Sequence, residues 1–189
     1  MPTSRTAHRA RLDVSSRATL LFVDGGYALT VAQLCERLGV PERTFYNYFP
    51  TKADAIRPVL ERGIEAIAAT ITGEPPERPL VDALIAGFES SLWGAAGVHT
   101  KRIVPLVLST PPLYAVWLST IQSFEATLAD AIRPRVGLEA DSVAERMVAA
   151  TLVSAVRISF EHMATHGTEP VATLRDALRA VVVPAPLDR

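Results

Sequence analysis

Between Thr30 and Ile56 the chain reads TVAQLCERLGVPERTFYNYFPTKADAI, and its punctuation leaves little freedom of fold. Thr30 and Gln33 have the spacing of a capping box, in which a hydroxyl caps the first turn and an amide reaches back. The helix they open carries Leu34 and Leu38 on one face and must stop at Gly39. Pro41, suited to a first helical turn, starts a second, short helix that Pro50 closes. Thr51 then caps a third, with Asp54 in its first turn, where the helix dipole favours an acid. Leu34, Cys35, Leu38, Val40, Phe45 and Phe49 fall inward. Glu42, Arg43, Thr44, Tyr46, Asn47 and Tyr48 fall outward, a polar and aromatic set suited to phosphates and base edges in a major groove.

The rest of the chain is also written in helical spacing. Val14, Ala18, Leu21 and Phe22 share a face that ends at Gly25-Gly26. Ile56, Val59, Leu60, Ile64, Ile67 and Ile71 form another, with Pro58 inside it, which predicts a kink or local break near Arg57. Gly73 to Pro79 is the clearest loop. Leu80, Leu84, Phe88 and Leu92 follow, then a glycine-containing break at Gly94 to Gly97 and a helix near Lys101 to Ser109 with an internal Pro105. Pro111-Pro112 opens a long helix through Leu113, Trp117, Ile121, Phe124, Leu128 and Ile132, closed by Pro134 and Gly137. Asp141 opens another, with Val143, Met147, Thr151, Ser154 and Ile158 on one side, ending at Gly167. Val171, Leu174, Leu178 and Val181 mark the last, before a frayed PAPLDR tail. No useful period-2 alternation and no fixed repeat is present. The expected fold is all-α, about nine helices: a three-helix helix-turn-helix domain over residues 1–55 and a helical bundle over 56–189.

Charge divides the chain in the same place. Residues 1–62 hold nine Lys/Arg against six Asp/Glu, and the remainder ten against fourteen. A basic head on an acidic body suits an anionic partner at the N-terminal end. No apolar run reaches the roughly 18 residues of a membrane span, and no signal-peptide core follows MPTSRTAHRARLD. A cytoplasmic protein with no membrane partner is expected. The single cysteine, Cys35, excludes an intrachain disulfide.

The segment from about residue 14 to 60 resembles the DNA-binding domain of the TetR family. The residues that carry the resemblance are the capped helix at Thr30, the Gly39-Val40 turn, Thr44-Phe45-Tyr46, Tyr48-Phe49 and Thr51-Lys52, with Leu21-Phe22 and Gly25-Gly26-Tyr27 upstream. The resemblance implies phosphate contacts from Thr30, Tyr46, Tyr48 and Lys52, and base or groove contacts from Arg43, Thr44 and Asn47. Arg43 stands where many members have glycine. A subgroup with Arg-Thr-Phe and a following Tyr-Phe-Pro-Ser-Lys is the better match. That subgroup is described as having an acyl-CoA-like ligand-binding domain. The proline-rich loop before Leu80, the Arg102 to Leu113 stretch and Gly137-Leu-Glu-Ala-Asp141 are similar to it.

From these features a homodimeric, ligand-responsive repressor of a palindromic double-stranded operator is expected, released by a small apolar or acyl-type effector. The last two long helices, near Asp141–His166 and Thr168–Val182, would pair with their twofold mates. The fourth helix, with Pro58, would carry motion between pocket and head. Phe88, Tyr114, Trp117, Ile121 and Phe124 are the candidate ligand-lining residues, beside Trp93 and Phe160, with Arg102 at the pocket mouth. Taken singly, each reads by default as core, and Arg102 by default as a solvated surface residue. Glu42 either accepts from a cytosine amine or caps its helix, and Arg5, Arg9 and Arg11 form either a groove-reaching arm or a solvated tail. His162 and His166 lie four apart without a third ligand, so no metal site is expected, and no cofactor is implied. No nucleophile, phosphate loop or carboxylate pair stands out, so no enzyme is expected. The competing readings are a regulator without a ligand, or an activator, and, more remotely, a helical enzyme that resembles a regulator.

Overall fold

A computed structural model describes residues 4–93 and 97–182. Among these residues there are nine α-helices, one 3₁₀ turn and no strand. The helices are α1 (Ser4–Gly25), α2 (Val31–Leu38), α3 (Glu42–Tyr48), α4 (Arg57–Gly73), α5 (Leu80–Trp93), α6 (Gly97–Ser109), α7 (Pro111–Val136), α8 (Val143–His166) and α9 (Pro170–Val182). The all-α expectation is met. The break at Gly94 and the PAPLDR tail fall on residues outside those described, the tail wholly and the break in part.

The local signals act as their chemistry requires. Thr30 Oγ1 accepts from the Gln33 amide at 3.2 Å, and the Thr30 amide donates to Gln33 Oε1 at 2.9 Å. Gly39, Gly137 and Gly167 each take a left-handed φ, between 62° and 67°, to end α2, α7 and α8. Glycine holds that conformation without the strain a Cβ brings. Several boundaries differ from the sequence expectation. Pro41 is the residue before α3 rather than its first member. Pro134 lies within the last turn of α7, which runs on to Val136. Ser142, not Asp141, caps α8, its side chain accepting from the Glu145 amide at 3.1 Å. The break expected near Arg57 is present in a different form. Ala53–Ile56 is a 3₁₀ turn, and α4 starts at Arg57, which places Pro58 in the first turn, where a missing N–H costs nothing.

The core is one continuous cluster from Val14 on α1 to Leu178 on α9. In the head, Phe22, Leu34, Leu38, Phe45, Phe49 and Ile56 are sealed from solvent. Burial of each large side chain contributes about 1.5–3 kcal/mol. In the body, α4 packs against α5 and α7, and α7 and α9 against α8. The α4–α5 crossing is close because of Gly87. A Cβ built there would meet the Ile67 carbonyl oxygen at 3.0 Å and side-chain carbons of Ile67 and Ile71 at 3.1 Å. Arg135 fastens the loop after α4, donating to the carbonyls of Ile71, Glu74, Pro75, Pro76 and Arg78. No single described helix is long and apolar enough to cross a membrane.

Candidate nucleic-acid interface and effector cavity

The short helix α3 has one sealed face and one open face. Phe45 and, just past its end, Phe49 anchor it, with ring centroids 5.1 Å apart in an edge arrangement. Opposite them Glu42, Arg43, Tyr46 and Asn47 are exposed, and Thr44 and Tyr48 are half-buried on its flanks. Thr30, at the start of α2, is exposed as well. Each of these predicted reading residues is thus at least partly accessible.

What holds that surface in place is a set of side chains that grip backbone oxygens far away in sequence. Arg11 Nε donates to the Tyr48 carbonyl at 3.3 Å, and Arg17 Nη2 to the Leu38 carbonyl at 2.5 Å. Ser15 Oγ donates to Ala55 O at 2.6 Å. Lys52 Nζ donates to the carbonyls of Tyr27 and Leu29 at 2.7 and 2.8 Å, with the Tyr27 ring 3.8 Å away. Two of its three N–H donors are thus spent inside the protein, and burial lowers the lysine pKa from its ordinary value. Burial, and then the nearby Asp54 charge, push the Tyr27 phenol up. Burial, seconded by Glu42, raises the Cys35 thiol and keeps it a neutral hydrophobe. Where the sequence left an arm or a solvated tail open, the described residues are helix: α1 begins at Ser4, so Arg9 and Arg11 are helical residues, while the Arg5 side chain lies outside the described set.

At the head–body junction, Asp54 Oδ2 accepts from the Thr51 amide and hydroxyl at 3.1 and 2.7 Å. Its other oxygen faces Arg57 Nη2 at 3.0 Å. Burial acts to raise the Asp54 pKa, but the bonds from Thr51 and Arg57 outweigh it and hold the carboxyl below its ordinary value.

In the body a cavity of about 80 Å³ lies between α4, α5, α6, α7 and α8. Val59, Ile64, Ile103, Trp117, Phe124 and Phe160 make much of its wall, and Ser91, Thr100 and Thr120 supply hydroxyls. Among the described residues, no charged side chain lines it. Of the predicted ligand residues, Trp117, Ile121 and Phe124 line the space. Phe88 does not: it is sealed behind the wall, 4.9 Å from the Phe160 ring. Tyr114 packs against Trp117 from outside the lining, at 5.7 Å. Arg102 is not at the mouth either, since it is exposed and ion-paired to Asp24 at 2.6 Å, linking α6 to the end of α1. The Trp93 side chain lies outside the described set. The α4 contribution (Val59, Leu60, Gly63, Ile64, Ile67) was missed, because its i, i+4 spacing reads as plain core. His162 and His166 stack at 4.5 Å, and the described residues hold no group of three metal-binding side chains.

A half-sealed, half-open recognition helix on a helical body is the form of a DNA-binding regulator, and comparison with known proteins specifies which. Residues 16–56 match the family model described as bacterial regulatory proteins, tetR family, and residues 74–186 match the model of the MftR C-terminal domain. The chain belongs to the TetR family of transcriptional regulators. It is 30% identical over 146 residues to the HTH-type transcriptional regulator TcmR of Streptomyces glaucescens, a match spanning 72% of this chain and 65%, just under two thirds, of that one. Among solved structures it is similar to Thermus thermophilus FadR, a repressor in complex with lauroyl-CoA, at TM-score 0.62 and 21% identity, over 95% of this chain and 99% of FadR. It is also similar to a tetR-family regulator from Streptomyces coelicolor, at TM-score 0.60 and 13% identity, over 90% and 79%. At these identities the structural likenesses establish the fold.

Proposed function

We propose that the protein is a repressor that binds a palindromic operator as a homodimer and leaves it when a small, uncharged, largely apolar effector enters the body. Residues 1–55 read DNA and residues 56–189 sense the effector and dimerise. The observation that carries the DNA reading is the open face of α3, with its backbone pinned from α1. Arg43, Thr44 and Asn47 meet base edges, and Thr30, Tyr46 and Tyr48 meet phosphates. Lys52 adds its field to the phosphate side while its two carbonyl bonds fix the loop before α2.

Dimerisation is supported by an apolar stripe left open on the body. Val143, Met147 and Ile158 of α8 are 79%, 62% and 40% exposed, and Val181 of α9 is 51% exposed. Such a stripe suits helix pairing about a twofold axis. Two heads so joined would address half-sites about 34–36 Å apart.

The cavity supports the choice of effector. Its wall is aliphatic and aromatic with three hydroxyls, and no charged side chain among the described residues lines it, so a phosphate or carboxylate would pay desolvation there without a described counter-charge. An acyl chain suits the lining, and any phosphate-bearing headgroup would have to stay outside. The space is smaller than the roughly 300–1,000 Å³ of drug-sized ligand sites. Entry must therefore widen the body, so the effector favours an expanded state, and that difference in affinity is what release requires. The small volume equally favours a second reading, a regulator whose body never opens.

Selection of duplexes from a random pool by the purified chain, repeated over a salt series, tests the proposal. The expected result is an enriched twofold site whose affinity falls steeply as salt rises. No enrichment, with weak binding even at low salt, would end it. Release of the selected duplex by uncharged aromatics separates the two readings of the body.

A further inference from the structure

Arg57, like the exposed Arg102–Asp24 pair, touches both regions, and it alone of the two reaches a residue of the cavity wall. On one edge its Nη2 and Nε reach Asp54 Oδ1 at 3.0 and 3.3 Å. On the other edge its Nη1 crosses to α7, donating to Ser119 Oγ at 3.1 Å and to Thr120 Oγ1 at 3.3 Å. Thr120 is 1% exposed and forms part of the cavity wall. Asp54 in turn holds the Thr51 turn, two residues beyond Phe49 at the end of the recognition helix.

We infer that Arg57 is the positioning residue through which the state of the cavity reaches the recognition helix. The inference rests on the reading of the cavity as the effector site. A guanidinium suits the task because its donors form a rigid planar fork, so its two edges cannot be repositioned independently. The link is also near its breaking length. At 3.3 Å the Thr120 contact lies beyond the usual 2.7–3.2 Å of N–H···O bonds, and a further displacement of a few tenths of an ångström removes it. An effector that pushes α7 away from α4 would release one edge of the fork and loosen the other edge's hold on Asp54 and Thr51. Of the other cavity hydroxyls, Ser91 donates to Phe88 O and Thr100 to Ser91 O.

Hydrogen–deuterium exchange on the full chain, with neither DNA nor effector added, tests the link. Thr120→Val removes the oxygen from the cavity wall, and Arg57→Gln removes the fork. Each is expected to speed exchange at the Phe49, Thr51 and Asp54 amides by roughly two- to thirtyfold. The double variant should exceed Arg57→Gln by nothing further, since both act on one chain of contacts. Thr120→Ser, which keeps the oxygen, should restore the wild-type rates. Ser119→Ala, at an exposed position, is expected to give the same pattern at smaller size, and keeps the test open if Thr120→Val does not fold. Faster exchange confined to α7, or fully additive effects, would overturn the inference. Because no effector is used, failure of the effector reading would show separately, as DNA that no apolar molecule releases.

Discussion

The head and the body are held together in different ways. In the head, long-range ties run from side chains to backbone oxygens: Arg11 to Tyr48, Arg17 to Leu38, Ser15 to Ala55, and Lys52 to Tyr27 and Leu29. Each fixes the path of the main chain itself. In the body the contacts around the cavity are mainly side chain on side chain, and they leave a void at its centre. The strongest backbone grip there, from Arg135, lies at the far end of α4 from the head. On the proposed function, a surface that presents donors to a duplex needs a fixed backbone, whereas a compartment that swells needs contacts able to slide.

The largest effect that would sharpen this contrast comes from a body residue remote from DNA. Met147→Glu puts a charge on the open α8 stripe and is expected to yield a monomer by sedimentation. Operator affinity should drop about a hundredfold or more, as the second head no longer binds with the benefit of tethering. If the variant stays dimeric, α8 is not the contact. Next comes a pair of truncations. Phe45→Ala in the sealed head should cost about 3–5 kcal/mol in denaturant unfolding. Ile64→Ala at the half-buried cavity wall should cost less than half as much, and equal losses would erase the distinction between the regions. Smaller again is Arg135→Met, which leaves carbonyls of the α4–α5 loop without their donor. The expected loss is about 1–3 kcal/mol, with operator affinity unchanged.

The smallest effect is a response to acid that the two regions share. Asp54 in the head and Glu145 in the body both have pKa values lowered below the ordinary carboxylate range. In Asp54 burial opposes the shift, and bonds from Thr51 and Arg57 win. In Glu145 the bond from Arg133 leads and burial opposes. A carboxyl whose folded pKa lies below its unfolded one stabilises fully above the unfolded value, and the gain disappears as pH falls through the folded one. Melting temperature should therefore be flat above the ordinary carboxylate pKa and decline below it. Asp54→Asn should flatten the head's share of that decline, read from the exchange of its amides.

Much of the head was legible because its signals are local. A capping box spans three residues, and a glycine in the left-handed region marks its own helix end, so Thr30, Gln33 and Gly39 could be placed from spacing alone. Its long-range wiring was not legible. Nothing near Arg11 announces that it will meet a carbonyl 37 residues away. In the body, helix faces could be read but cavity and core could not be told apart. Phe88 and Phe124 occupy the same kind of heptad-like stripe, and only packing puts the first behind the wall and the second on it. Arg102 shows the same limit for charge, since its partner Asp24 lies 78 residues earlier.

On the proposed mechanism, Gly87 would make the α4–α5 crossing a fulcrum. With the Ile67 carbonyl oxygen 3.0 Å from where a side chain would begin, the two helices have no clearance to come closer at that point, which is where a tilt of α4 would turn. Ten residues separate Ile67 from Arg57, a lever arm of about 15 Å at the helical rise. A tilt of roughly 5° about Gly87 then carries the head end of α4 through about 1.3 Å. That travel is several times what the Arg57–Thr120 bond can absorb, so on the proposed mechanism a rotation too small to disturb the core at the pivot would already be a full stroke at the junction.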